Sequence, residues 1–260
     1  MAYKKLKYWF DSDLAALLAE KISSSDPSFD TQGFIDTIDT GVQNLELKDR
    51  VELIADTLHR ELSRDVEKNM RLLADILGPE NEEETGMFTN YYWIMPIAKY
   101  VEKYGLNHFE ASMKAIEEIT KRNTGEYAIR PFLLHFQEKS LNKLLAWAHH
   151  ENKHVRRLAS EGIRPRLPWA TKLQLFIDDP QPIIPILHTL KDDPSKYVQK
   201  SVANCLNDIL KDNFEIGSAL VEEWLAGNPG KERKWILKHA IRNFTKQENK
   251  WALTIMTKLK

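Results

Sequence analysis

Apolar residues recur in this chain at intervals of three and four almost from end to end, and that spacing constrains the fold more than any other feature. Leu53, Ile54, Thr57, Leu58 and Leu62 share one face of a helix, as do Phe109, Met113, Ile116 and Ile119. Leu141, Leu144, Leu145 and Ala148 give another stripe, Val198, Val202, Cys205 and Ile209 a fourth, and Leu237, Ala240, Ile241 and Phe244 a fifth. No comparable run of strict apolar–polar alternation occurs. The 10 Gly and 11 Pro among 260 residues are also too few turn formers for a chain of many short strands. The expectation is an all-α fold.

Turn signals divide the helices. Ser23-Ser24-Ser25-Asp26-Pro27 ends a first helix, and Gly78-Pro79 closes a later one ahead of the acidic loop Glu80-Asn81-Glu82-Glu83-Glu84. Asp178-Asp179-Pro180, Asp192-Asp193-Pro194 and Gly227-Asn228-Pro229-Gly230 follow at intervals of tens of residues. The segment from His154 to Ala159 aligns with the segment from Tyr197 to Val202, 43 residues on, and a weaker copy runs from Arg233 to Lys238. A period of about 40 built from helix pairs is the signature of HEAT-like repeats. The expected architecture is a right-handed α-solenoid with a concave basic surface suited to a macromolecular partner. Its division is drawn as an N-terminal helical part, 1–90, continuous with repeats over 91–260 that carry the functional surface.

Composition narrows the setting. The single cysteine, Cys205, can form neither an internal disulfide nor a zinc cluster, which fits a reducing, cytoplasmic protein. No 18-residue apolar run and no signal-like N-terminus are present, so no membrane role is expected. The formal net charge of −1 looks adverse to nucleic acid. It conceals a strong asymmetry. Residues 139–172 hold Lys139, Lys143, Lys153, Arg156, Arg157, Arg164, Arg166 and Lys172 against only Glu151 and Glu161, a local charge of +6 that leaves −7 for the rest. Affinity for a polyanion follows local cationic density, although a charge run is also the ordinary appearance of a solvated face.

Within that window, Arg157, Glu161 and Arg164 are spaced i, i+4, i+7 on one helix face. The 43-residue offset maps Arg157 onto Lys200 and Glu161 onto Asn204, with Asp208 and then Lys211 beyond. Two neighbouring helices then present basic residues around isolated carboxylates. In Arg164-Pro165-Arg166-Leu167-Pro168-Trp169, Pro165 stops the helix near Arg164, and Pro168 suits the first turn of a following helix. Arg166 would lie near that helix N-terminus, where free N–H groups favour a phosphate. Trp169 reads as a core residue more readily than as a stacking one. His150-Glu151-Asn152-Lys153-His154 matches H-E-x-x-H, but the repeat alignment sets it across a turn, and no third ligand follows at a usable spacing. It is taken as coincidence, and no metal is expected.

At these residues the chain resembles the AlkC branch of the bacterial DNA alkylation-repair proteins, the AlkD-like HEAT-repeat glycosylases. The densest match is HVRRLASEGIRPRLPW (154–169), followed by PIIPILHTLKDDPSKYVQKSVANCLNDILKDN (182–213); the stretches at 93–133 and 45–62 are similar too. The resemblance implies a DNA glycosylase of base excision repair. Such an enzyme hydrolyses the N-glycosidic bond of cationic alkylated bases such as N3-methyladenine without full base flipping, uses no cofactor, and acts as a monomer on double-stranded DNA. It also implies Glu126, Glu161 and Asp208 as the acidic catalytic positions, and Arg156, Arg157, Arg164, Arg166 and Trp169 along the DNA backbone, to which the repeat geometry adds Lys200 and Lys211. Gly125 stands where the family often has serine, an exchange expected to loosen the setting of Glu126. Some members carry an extra β-domain; with Lys260 as the last residue, DNA contacts from such a domain are not expected here. Without the resemblance, Glu161 reads as half of a helix salt bridge with Arg157, worth only ~0.3–0.5 kcal/mol. The competing function is a HEAT-repeat protein that binds DNA structures or a protein partner without catalysis.

Overall fold

A computed structural model describes residues 4–86 and 88–260 of the chain. Among the described residues every regular element is helical, as the apolar periodicity predicts. Two compact units emerge, one up to Phe132 and one over Leu133–Lys260. That division falls inside a short helix and well beyond the 90/91 boundary drawn from the sequence.

The first unit holds α1 (Ser12–Ser23), α2 (Thr31–Gly41), α3 (Leu47–Glu61), α4 (Val66–Asp75), the short α5 (Phe88–Tyr91), α6 (Met95–Tyr104) and α7 (Phe109–Thr120), and the boundary lies within α8 (Arg130–His135). Local chemistry sets the starts: Asp11, Asp30 and Asp65 each accept from free backbone N–H groups at the heads of α1, α2 and α4. Helices α1 and α2 pack together, as do α3 with α6 and α4 with α7. Ile54, Thr57, Leu58 and Leu62 are buried, as are Met113, Ile116 and Ile119, so the apolar stripes face the core. Gly78, at φ +77°, makes the left-handed turn beyond α4 that a side chain would strain. The acidic loop after it is tied down by the Asn81 N–H donating to the Lys121 carbonyl.

The second unit continues with α9 (Gln137–Trp147), α10 (Lys153–Glu161), α11 (Gln174–Asp178), α12 (Ile184–Leu190), α13 (Lys196–Asp212), α14 (Phe214–Ala226), α15 (Lys231–Ala240), α16 (Arg242–Lys246) and α17 (Lys250–Lys258). Helices α10 and α13 begin at Lys153 and Lys196, with side-chain caps from Asn152 and Ser195, so the 43-residue offset is structural. Pairs α9–α10, α12–α13 and α14–α15 form, and α10, α13 and α15 pack in succession. This is the contact pattern of stacked helix pairs. Val198, Val202, Cys205 and Ile209 are completely buried along α13. The last predicted stripe is broken, because the chain leaves helix at Ile241 between α15 and α16.

A charged tie fixes α10 to the turn before α13. Arg156 donates to Asp193 through Nε (2.6 Å) and Nη2 (3.3 Å), and through Nη1 to the carbonyls of His150 and Glu151. Asp193 in turn accepts from the Ser195 N–H at 2.8 Å. With Asp193 buried, removing it leaves the guanidinium without its counter-charge. Asp193→Ala is expected to lower the unfolding free energy by about 3 kcal/mol in urea titrations; a change below about 1 kcal/mol would show that the tie is ornamental.

Candidate active site

Helix α10 ends at Glu161, three residues short of Arg164, yet the predicted face is assembled. Arg164 turns back and donates through Nη1 to Glu161 Oε1 (2.8 Å) and through Nε to Asp208 Oδ2 of α13 (2.9 Å). One guanidinium thus bridges the two carboxylates. All three residues are buried. Arg157 approaches Glu161 Oε1 at 3.5 Å, with its guanidinium 4.8 Å from the centre of the Tyr197 ring. Ser201 donates to Glu161 Oε2 at 2.7 Å and is itself bonded to Ser160 across the α10–α13 contact. Lys211, exposed, lies 4.0 Å from Asp208 Oδ1. Three cations therefore surround two fixed carboxylates.

The two acids are not equivalent. Burial pushes Glu161 up, but the charges of Arg157 and Arg164 and the bonds from Ser201 and Arg164 outweigh it, and the carboxyl lies below its ordinary range. Burial dominates at Asp208 and raises its carboxyl above the usual value despite Arg164 and Lys211. Their oxygens differ as well. Both oxygens of Glu161 carry bonds, whereas among the described residues Asp208 Oδ1 has only Lys211, at 4.0 Å. Arg164 itself is held firmly protonated: burial opposes its charge, and the two carboxylates more than restore it.

The remaining expected positions are placed as follows. Glu126 belongs to the first unit, between α7 and α8, where it is buried and accepts from the Thr124 hydroxyl. A Cβ at Gly125 would stand 2.6 Å from Thr120 Oγ1 and 2.9 Å from Ile116 Cγ2. Glycine there lets the segment lie tight on the end of α7, the opposite of the loosening expected. Arg156 is drawn into the Asp193 tie, and Arg166, half-exposed, forms a forked pair with Asp212 at 2.6–2.9 Å. Lys200 is exposed on α13.

Two local expectations fail. Pro168 opens no helix, since α11 starts only at Gln174, so Arg166 has no helix N-terminus beside it. Pro168 and Trp169 instead occupy the middle of a turn closed by the Ala170 N–H on the Leu167 carbonyl. Trp169 sits there at φ +66°, a region costly for a bulky side chain, and is 81% exposed rather than in the core. The signal that could have revealed this is proline at the second position of a turn. The H-E-x-x-H match straddles the turn before α10: His150 Nδ1 accepts from the Asn152 N–H ahead of the first helical residue, while His154 packs edge-on to Tyr197. Among the described residues no group of three or more His, Cys, Asp or Glu side chains is placed to hold a metal ion, and no helix is long and apolar enough to cross a membrane.

Sequence reasoning missed Arg242, the first residue of α16. It donates through Nη2 to Asn204 Oδ1 at 3.0 Å on α13. No charge run or motif marks it.

Comparison with known proteins gives a consistent answer. The family model described as DNA alkylation repair enzyme matches residues 41–244. A Bacillus subtilis (strain 168) protein, YhaZ, whose function is uncharacterized, is 39% identical over 251 residues, covering 96% of this chain and 67% of its own. A solved structure, Pseudomonas fluorescens alkylpurine DNA glycosylase AlkC bound to DNA containing an abasic site analog, superposes with a TM-score of 0.87 at 37% identity. It spans 98% of this chain and 69% of that one.

The opposite shifts of the two acids make a stability prediction. A carboxyl depressed in the folded state contributes stability above its unfolded value, near 4.5 for Glu161, and loses it as pH falls through the lower folded value. Asp208, with its carboxyl raised, contributes no such term at neutral pH. Glu161→Gln should therefore cost about 3 kcal/mol at neutral pH, with the difference shrinking below pH 4.5, while Asp208→Asn costs less than about 1 kcal/mol. Urea unfolding of both variants across pH checks this, and equal losses would contradict it.

Proposed function

Since this chain belongs to the DNA alkylation repair enzyme family, we propose that it is a DNA glycosylase that hydrolyses the N-glycosidic bond of alkylated, positively charged purines such as N3-methyladenine, with Asp208 as the reacting carboxylate. The observation that carries the assignment is the asymmetry at Arg164. Glu161 is held ionised with both oxygens bonded, whereas burial raises the proton affinity of Asp208, and among the described residues one of its oxygens has only a distant lysine. The likeness to an alkylpurine DNA glycosylase bound to DNA supports double-stranded DNA as the partner.

The chemistry suits such a pair. A cationic N-alkyl base already departs readily, so no strong acid is needed to protonate it. Positive charge instead develops on the deoxyribose as the bond to C1′ breaks. A carboxylate held in a buried, preorganised setting stabilises that charge, and the same group orients and deprotonates the attacking water. Sugar hydrolases place carboxylates around an oxocarbenium-like centre for the same reason. Asp208, being the stronger base of the two, takes the proton; Glu161 fixes Arg164 and adds negative field. Arg157, Lys200 and Lys211 supply charge for the phosphates, and the strained, exposed Trp169 offers an aromatic face to the bases. Arg156 and Arg166 reach DNA only while keeping their carboxylate partners. Glu126 is the third acid of the proposal, on the resemblance alone.

Incubation with methylated duplex DNA should release N3-methyladenine, and Asp208→Asn should slow single-turnover release by roughly 10²–10³ while leaving DNA affinity within a few-fold. Glu126→Gln tests the third acid in the same assay. No release at high enzyme excess, with DNA bound, would return the chain to a non-catalytic binding role, a reading the family membership does not favour.

A further inference from the structure

Five of the six arginines of the second unit, Arg156, Arg157, Arg164, Arg166 and Arg233, have a carboxylate oxygen within 4.0 Å. Arg242 has none among the described residues. Its guanidinium is instead aimed by two neutral acceptors: Nη1 donates to the His239 carbonyl (2.6 Å) and Nη2 to Asn204 Oδ1 (3.0 Å). Two of its five N–H donors are thereby used. A partly buried cation with no carboxylate in contact is an unusual element of a fold, because burial removes hydration that only an anion fully replaces.

The surroundings increase the deficit. On α13, Lys196, Lys200, Asn204 and Asp208 follow one another at four-residue steps and so share a face that ends at the acid bridged by Arg164. Lys200 is exposed without an ion pair among the described residues. Lys196 bonds Gln199 Oε1 (3.2 Å) and lies 3.4 Å from the centre of the Trp235 ring, which in turn stacks on His239 at 4.7 Å and 11°. The negative groups felt here are Glu232, which acts on Lys196, and Asp208, which acts on Arg242. Burial, then the charges of Arg242, Lys200 and Lys196, push His239 down to about 4, so it adds a neutral imidazole rather than a fourth charge. Burial and the nearby Arg164 weaken Arg242 in the same sense.

We propose that Arg242, with Lys200 and Asn204, forms a subsite for a backbone phosphate of the lesion-bearing DNA strand, adjoining Asp208. A phosphodiester there supplies the missing counter-charge. It also holds the neighbouring deoxyribose in register with the carboxylate, so that binding energy from the backbone positions C1′. This rests on the glycosylase reading above, but it concerns residues outside the bridged acid pair.

The test is duplex binding by wild type, Arg242→Gln, Arg242→Lys and Lys200→Gln as a function of salt, with base release measured alongside. Each phosphate neutralised contributes about −0.9 to the slope of log K against log[salt]. Arg242→Gln is expected to reduce the slope by about that amount and to weaken binding about tenfold, with Arg242→Lys restoring most of the slope. In parallel, the His239 imidazole, followed by NMR, should titrate well above about 4 once duplex DNA is bound, because the phosphate offsets the three neighbouring cations. Unchanged slope and affinity in Arg242→Gln, while the wild type binds and excises, would overturn the subsite and leave the glycosylase reading standing. A wild type that neither binds duplex nor releases base would overturn both. Should Arg242→Gln fail to fold, Lys200→Gln and the His239 titration decide together: a lower slope in Lys200→Gln with His239 raised by duplex in the wild type supports the subsite, and an unchanged slope or an unmoved His239 refutes it.

Discussion

The second unit depends on a single guanidinium placed between two buried acids. Arg164 leaves the end of α10 and reaches both Glu161 and Asp208, so the charge that neutralises the acids also ties α10 to α13. Only arginine suits this position: it stays protonated under any burial a protein imposes, and its planar fork reaches two carboxylates at once. Removing Arg164 would leave two buried carboxylates without the cation they share, an error that costs several kcal/mol. The cluster is therefore rigid, which in the proposed hydrolysis would let a carboxylate face the developing cation without reorganising.

Around that bridge the repeat geometry divides labour among similar residues. Arg156 and Arg157 are neighbours in sequence, yet one holds the turn ahead of α13 through Asp193 and the other faces Glu161. Ser160 and Ser201, small enough to meet where α10 and α13 cross, orient the second oxygen of Glu161. The stripe along α13 then passes from lysines through Asn204 to Asp208, so the proposed phosphate anchors and the proposed reacting acid share one helix face.

Much of this was legible in the sequence. Helical spacing and the 43-residue offset between α10 and α13 are direct consequences of packing one apolar face per helix, and they predicted both the fold class and the pairing of Glu161 with the Asp208 helix. What remained hidden depended on tertiary partners. Nothing local to Arg156 or Arg166 says that Asp193 and Asp212 will claim them from distant positions. Trp169 was misread because the two prolines suggested a helix start, while the chain uses Pro168 to set a turn that forces positive φ on a tryptophan. Arg242 carries no motif at all; it stands out only because, among the described residues, no carboxylate oxygen lies within 4.0 Å of it.

In the proposed reaction a buried carboxylate with a raised proton affinity, Asp208, performs the hydrolysis. The most direct test is the pH dependence of single-turnover release of N3-methyladenine by saturating wild-type enzyme, corrected for spontaneous loss. An acid limb is expected, in which the rate rises with pH to a plateau. Its midpoint should lie above 3.8, because burial raises Asp208 and only its ionised form accepts the proton from water. A rate independent of pH across that range, or a limb that persists unchanged in Asp208→Asn, would contradict it.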